Sequence, residues 1–399
     1  SRSFGNTIEF SSIAVYGISW TAFGRISFNN WITGPDYHNC IFNVRDISYS
    51  NGLVGSQYAQ FWAIFSNRNF YNTTLTISNV KAAVTSSASW ASFIQLECHM
   101  NNNSAIIIDN CHASIRSPKT YTSTMMVRFV STELSNSTVV VRNGTFTGAA
   151  AYGAAILDAY RIALLQGARL VLDNITADFR TESSSCVGVA LRNDPSGNGK
   201  AAGTSLTVSN VNLRCKSAKK DAVFLKVEWS KVESKMTFKN ISFLAEADGN
   251  AFVFAWSLSQ VASLTARNVT ASISSATLDA ALLASTSTLY SLDYEKQFTL
   301  VDVTVVAVSG HGEYGSVRWV SPLRLNDLQD ASITYRRVTF VGKALDRNAL
   351  SKDANGRSLI FAAHVANVNV IVDECLFVVN ATNTSASFFG VVAGATVSN

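Results

Sequence analysis

One phrase recurs along this chain: apolar–x–apolar–x–Asn–apolar–x–apolar. It reads TLTISNVKA at 74–82, RLVLDNITA at 169–177, SLTVSNVNL at 205–213, KMTFKNISF at 235–243 and SLTARNVTA at 263–271. A strand alternates its side chains between two faces. A run that is apolar at −4 and −2, then at +1 and +3, has therefore changed phase at the Asn. A straight strand cannot do this and keep one buried face, but a single-residue corner can. Asn, Asp and Gly best tolerate the left-handed backbone such a corner requires.

Taking that position as an anchor gives Gly17, Asp46, Asn79, Asn110, Asn143, Asn174, Asn210, Asn240, Asn268, Asp302, Arg337 and Glu374, spaced 28 to 37 residues apart. The seven Asn residues from Asn79 to Asn268 are expected to act as structural corners. A third alternating strand precedes each phrase, as in SFIQLEC (92–98), MMVRFVS (125–131) and VFLKVEW (223–229). The pattern predicts an all-β fold, a right-handed parallel β-helix. This solenoid has about 12 coils of about 32 residues, three strands to the coil, and forms one repeat domain over 1–399. At ~4.8 Å per coil the rod is roughly 55–60 Å long. Loop insertions are expected at 193–204, 285–297 and 343–358. A leucine-rich repeat would need more Leu and a shorter period, and a string of β-sandwiches a much longer one.

Two anchors break the rule. Arg337 and Glu374 fall in one column of neighbouring coils, where a charge pair or a wider bend would accommodate them. The final residues align with the stretch leading to Asn136, one strand short of the next corner, so the segment reads as a fragment of a longer solenoid.

Chemistry-bearing residues are sparse. Charged residues make up 15% of the chain and the net charge is only +5, which gives no basis for nucleic-acid binding. No apolar run reaches the ~18 residues of a membrane helix, so no direct span is expected in this segment. Of six cysteines, Cys111, Cys215 and Cys375 occupy inward positions and read as small buried apolar residues; a disulfide among Cys40, Cys98 and Cys186 stays open. Neither CxxC nor a Cys/His cluster occurs, so no metal site and no cofactor is expected. Nine Asn-x-Ser/Thr sequons point to the secretory route. Those at Asn143, Asn174, Asn240 and Asn268 coincide with corners; glycans are expected instead at Asn72, Asn102, Asn136, Asn380 and Asn383, read as loop positions.

Enzyme motifs fare poorly. SGHG at 309–312 is similar to the Gly-His-Gly of polygalacturonases, but its companion Asn-Thr-Asp, Asp-Asp and Arg-Ile-Lys motifs do not occur, so His311 reads as a turn residue. Glycoside hydrolysis wants two carboxylates ~5–9.5 Å apart. The third strand offers instead Gln95, Arg128, Lys226, Trp256, Arg318 and His364 in scattered phase. GNGKAAG at 197–203 lacks phosphate-loop spacing and reads as a turn. Trp62, Trp90, Trp229 and Trp256 either fill the core or form a glycan-stacking platform.

A long, Cys-poor, sequon-bearing solenoid with Asn-Val-Thr corners resembles the dispersed gene family of large surface proteins in trypanosomatid parasites. The resemblance covers the whole segment and rests on repeat texture. It implies a glycosylated, extracellular or cell-surface protein with no catalytic residues. The expectation is therefore a non-enzymatic structural or adhesive rod. Its partners would be other copies of itself, other surface proteins, or host or matrix glycans, with assembly end to end or sideways. The alternatives are a polysaccharide lyase or hydrolase, or a glycan-binding module, on the same fold.

Overall fold

The computed structural model describes residues 2–4, 7–12, 14–17, 26–29, 36–51, 58–86, 90–117, 123–130, 133–162, 164–193, 200–228, 232–256, 263–285, 296–310, 317–320, 324–344, 361–381 and 396–398. They form an all-β parallel solenoid of about 33 residues per turn. About seven turns, from the corner at Asp46 to that at Asn268, are close to complete. This shortens the expected count of about 12 coils. Parallel pairing continues beyond both, to Thr7–Ser11 on one side and Leu376–Ala381 on the other.

The phase change falls where the sequence places it. Thr138–Ala150 is buried at Val139 and Val141, exposed at Arg142 and Asn143, and buried again at Gly144 and Phe146. The corner residues Asp46, Asn79, Asn110, Asn143, Asn174, Asn210, Asn240, Asn268, Asp302, Arg337 and Glu374 all have φ between 49° and 55°. Arg337 and Glu374 thus make the same tight bend as the Asn corners, at a cost of roughly 1–2 kcal/mol each for a left-handed residue other than Gly or Asn. The first anchor is a frame slip. Ala14–Gly17 pairs with Ser48–Asn51, so Gly17 lies beyond its corner, which is Ser12 at φ 56° beside Asp46. Val15 therefore follows a corner rather than preceding one.

The first face (the arm before the corner) and the second face (the arm after it) are half-buried sheets. One inward column runs through Val139, Leu170, Leu206, Met236 and Leu264, each beside the next coil's residue. Phe146, Phe179, Phe238 and Phe243 fill the interior with no appreciable exposure, each burial contributing roughly 1.5–3 kcal/mol.

The third face is different. Residues 91–96, 124–129, 153–159 and 251–255 are buried without a break, so both sides of this sheet are covered. Strands covered on both sides read as continuous apolar runs, as AFVFA at 251–255 does. The outer side carries a second apolar cluster, Val187, Ala190, Val223, Phe252, Ala255 and Ala281.

A second left-handed corner precedes the first by seven residues in six coils: Asn39, Asn72, Asn103, Asn136, Gly167 and Gly203. A Ser or Thr commonly follows it, and Thr73, Ser104, Ser137 and Thr204 are buried. Their hydroxyls donate to carbonyls at the turn: Thr73 to Tyr71 at 3.0 Å, Ser104 to Asn101 at 2.8 Å and Ser137 to Ser135 at 2.8 Å. Lys200–Ala202 is strand paired to Leu164–Gln166 and leads into the Gly203 corner, so the expected loop 193–204 is shorter, and the GNGKAAG turn is in part strand. Most of the other two expected loops, 286–295 and 345–358, lies outside the described residues.

Candidate functional site

The corner edge is a hydrogen-bonded ladder. Each corner Asn amide donates to the coil before it: Asn79 to Asp46 at 3.0 Å, Asn110 to Asn79 at 2.8 Å, Asn174 to Asn143 at 2.8 Å, Asn240 to Asn210 at 2.8 Å and Asn268 to Asn240 at 2.9 Å. At two steps the amide turns aside to the residue before the preceding corner, Asn143 to Asp109 at 2.8 Å and Asn210 to Asp173 at 2.9 Å. A carboxylate is the stronger acceptor, and in both places one stands next to the corner. Burial raises the Asp109 pKa, but hydrogen bonds from Arg142 and Asn143 outweigh it and hold the carboxyl below its ordinary range.

The direction of donation explains Arg337. Asp302 can only accept, so the next coil must donate, and Arg337 does, Nε at 2.6 Å and Nη2 at 3.0 Å. Of the two accommodations expected for Arg337 and Glu374, the wider bend is absent, and Arg337 hydrogen-bonds Asp302 rather than Glu374. The Arg337 hydrogen bond depresses the Asp302 pKa, and its own is raised in return.

Three sequons expected in loops belong to the second corner. Asn72, Asn102 and Asn136 have φ of 49°, 50° and 45°, and Asn72 donates to Asn39 at 2.8 Å. All three side chains are exposed. Asn380 pairs with Lys343 within a strand, and Asn383 lies outside the described residues. The distinction between loop and corner sequons thus fails for Asn72, Asn102 and Asn136. Gly167 takes the corner at φ 60°, where a Cβ would also press on the Asn136 side-chain oxygen.

On the third face, Gln95, Arg128 and Lys226 share one column with Asp158 and Ala190. These three are in phase, which corrects the scattered reading for them, whereas Trp256, beside Val227, and Arg318, beside Ala281, fall in other columns. Asp158, which that reading passed over, has a side chain 2% exposed and lies between two guanidiniums, Arg128 Nε at 3.8 Å and Arg192 Nε at 3.1 Å. The signal was available: AILDAYRI sets one acid in an apolar run, one coil past the Arg of MMVRFV. Glu97 stands nearby, its pKa raised by burial and lowered in smaller part by Arg128. A carboxylate this deep between two cations is out of reach of a sugar, a poor position for a general acid. What the arrangement can do is fix coil register, because losing one partner strands a buried charge.

Cys186 and Cys215 form a disulfide across 29 residues, with Cα atoms 5.7 Å apart. This corrects the reading of Cys215 as an unpaired apolar residue. Its inward column position was right, and Cys186 on the facing third strand meets it. Cys40, Cys98 and Cys111 are buried and form no disulfide, and burial pushes the Cys98 and Cys111 thiols up to about 12. Cys375 is free and half-buried.

A shallow groove of about 400 Å³ opens on the second face, with Lys81, His112, Tyr49, Ser48 and Thr145 in its lining. The tryptophans do not line up: Trp62 pairs with Ile94, Trp90 with Tyr58 and Trp256 with Val227, so they fall in separate columns. Trp229 and His311 lie outside the described residues. Among the described residues no three His, Cys, Asp or Glu side chains converge as a metal site would need, and no helix is long and apolar enough to cross a membrane. No family model, curated protein or solved structure matches the chain.

Proposed function

We propose that this chain is a non-enzymatic structural or adhesive rod, extracellular or on a cell surface, of the kind made by the trypanosomatid dispersed gene family. The observation that carries the reading is where its polar chemistry goes. Ion pairs join successive coils: Arg45 to Glu9, Arg142 to Asp109, Lys216 to Glu246, Arg336 to Asp373 and Arg337 to Asp302. Each engages its charged groups with the neighbouring coil. The Cys186–Cys215 bridge supports an oxidising compartment. The exposed second-corner sequons Asn72, Asn102 and Asn136 support glycan display.

The test is protein from a secreting eukaryotic host, with glycopeptides mapped and particles imaged by electron microscopy. Rods with glycans at the second corner and no turnover across a panel of acidic and neutral polysaccharides are expected. Turnover of any polysaccharide, abolished by a point substitution, would overturn the non-enzymatic reading. The groove favours a second reading, glycan binding without turnover, because Lys81 and His112 stand side by side there among hydroxyls. Binding of an acidic glycan that Lys81→Ala abolishes would establish it.

A further inference from the structure

The seven corners from Asn79 to Asn268 differ in the residue that follows them. At six of them it is Val, Ile or Cys, as in Val80, Cys111 and Ile175, buried just past the bend. At Asn143 it is Gly144. The interior accounts for the exception. Phe146 is fully buried, and its ring stands where a side chain at 144 would go: a Cβ there would meet it at 2.6 Å. Packing thus sets a glycine directly after an exposed corner Asn.

An Asn-Gly step is open to a reaction that the other corners resist. The Gly144 backbone nitrogen can attack Asn143 Cγ, because no side chain on residue 144 shields it, whereas a stiff β-branched neighbour would. The new N–C bond forms as Cγ–Nδ2 breaks, and the proton of the attacking nitrogen leaves with Nδ2 as ammonia. Water then opens the cyclic imide at either carbonyl. One product is Asp at 143; the other is an isoaspartyl linkage, with Cβ in the main chain. Nothing is oxidised or reduced.

The fold holds this reaction back. Attack requires the side-chain amide to swing toward its own backbone, and both ends of that amide are engaged by neighbouring coils. Nδ2 donates to Asp109 at 2.8 Å, and Oδ1 accepts from Asn174 at 2.8 Å. The first of these bonds is charge-assisted. Neither product restores the corner. A carboxylate at 143 has no proton to give Asp109 and sets a like charge beside it, while Arg142 is already paired with Asp109 at 2.8 Å. The isoaspartyl form lengthens the main chain at the point where the phase change must fall.

We infer that Asn143 is a self-modification site, whose deamidation is released by opening of its coil and then hinders the coil from closing. Repeat stacks open locally, so conversion records how often this coil has opened. The inference does not rest on the adhesive reading. It does bear on glycosylation: Asn143-Gly144-Thr145 is a sequon, and a glycan on Nδ2 would occupy the leaving nitrogen.

Peptide mass mapping of protein made without glycans, incubated in mildly alkaline buffer with and without guanidinium chloride, tests it. Unfolded, Asn143 should convert well ahead of the other six corner Asn residues, and Gly144→Ala should slow it. Folded, its conversion should be roughly tenfold slower or more, because two hydrogen bonds must break first. Asp109→Ala should raise the folded rate roughly tenfold, and Asn174→Ala should raise it by less. Circular dichroism checks that both variants remain folded. Asn240→Ala, which weakens a corner three coils away and leaves the partners of Asn143 in place, should not raise it. Equal rates in folded and unfolded protein, an unfolded Asn143 no faster than Asn174, or the same acceleration from Asn240→Ala as from Asp109→Ala would each overturn the inference.

Discussion

The corner edge and the third face stack the same coils by opposite means. The edge is exposed, and its amides can both donate and accept, so one Asn after another passes a hydrogen bond to the coil before it. Water stands ready to replace any lost partner. The third face is covered on both sides and places Asp158 between Arg128 and Arg192 with almost no exposure. Little water can reach that carboxylate to replace a missing partner. An edge built from many replaceable contacts should tolerate change at any one of them, whereas a buried column built from a few should not.

The largest effect is therefore expected at Asp158. Replacing it with Ala leaves two guanidiniums without their shared anion, at a cost of roughly 3–5 kcal/mol. Urea unfolding should show the loss, and the triple change Asp158→Leu, Arg128→Met, Arg192→Met should recover a large part of it. If Asp158→Ala proves as mild as a corner substitution, the two regions do not differ in the way argued here. Next in size is the disulfide. Changing Cys186 and Cys215 together to Ala releases a 29-residue link, worth about 3.6 kcal/mol by loop entropy. Amide exchange should rise most in the coils it joins, because repeat stacks open locally.

At the edge, Asn240 separates the two functions of a corner. It donates to Asn210 and accepts from Asn268. Asn240→Ala loses both bonds and puts a Cβ-bearing residue with no side-chain acceptor at φ 55°, a penalty of roughly 2 kcal/mol. Asn240→Asp keeps the acceptor and the backbone tolerance, and should lose roughly half as much. Thermal unfolding of protein made without glycans would rank the two.

What the sequence revealed follows the same division. The first corner was readable because Asn both bends the chain and marks the phase change, and where Ser12 took its place the frame slipped by one arm. The second corner was hidden by its own residues: Asn72, Asn102 and Asn136 begin sequons, and a sequon invites a loop reading. Arg128, Asp158 and Lys226 escaped as a group because third-face strands are buried on both sides and lose the period-two signal that would align them. Cys215 was placed on the correct inward column, but its partner lies on that same unaligned face. Local backbone chemistry was visible in one dimension, and pairing across the interior was not.

The smallest effect, and the sharpest on the contrast, is in the pH dependence of two carboxyls. Asp109 at the edge has a folded pKa below its ordinary value because the hydrogen bonds from Arg142 and Asn143 outweigh its slight burial. Its stabilisation is present above the unfolded value of about 3.9 and is lost as pH falls through the folded one. Glu97 on the third face has a folded pKa above its ordinary value because burial dominates the attraction of Arg128. The sign reverses: ionised Glu97 opposes folding at neutral pH, and that opposition disappears as pH falls through the raised value toward the unfolded one near 4.3. Asp109→Asn should therefore destabilise the protein at pH 7 and flatten its loss of stability in acid. Glu97→Gln should stabilise it at pH 7 and make no difference once both carboxyls are protonated. Urea midpoints measured for both variants across the acidic range would decide it, and a Glu97→Gln variant less stable than the parent at pH 7 would mean that Arg128 relies on this carboxylate as well as on Asp158.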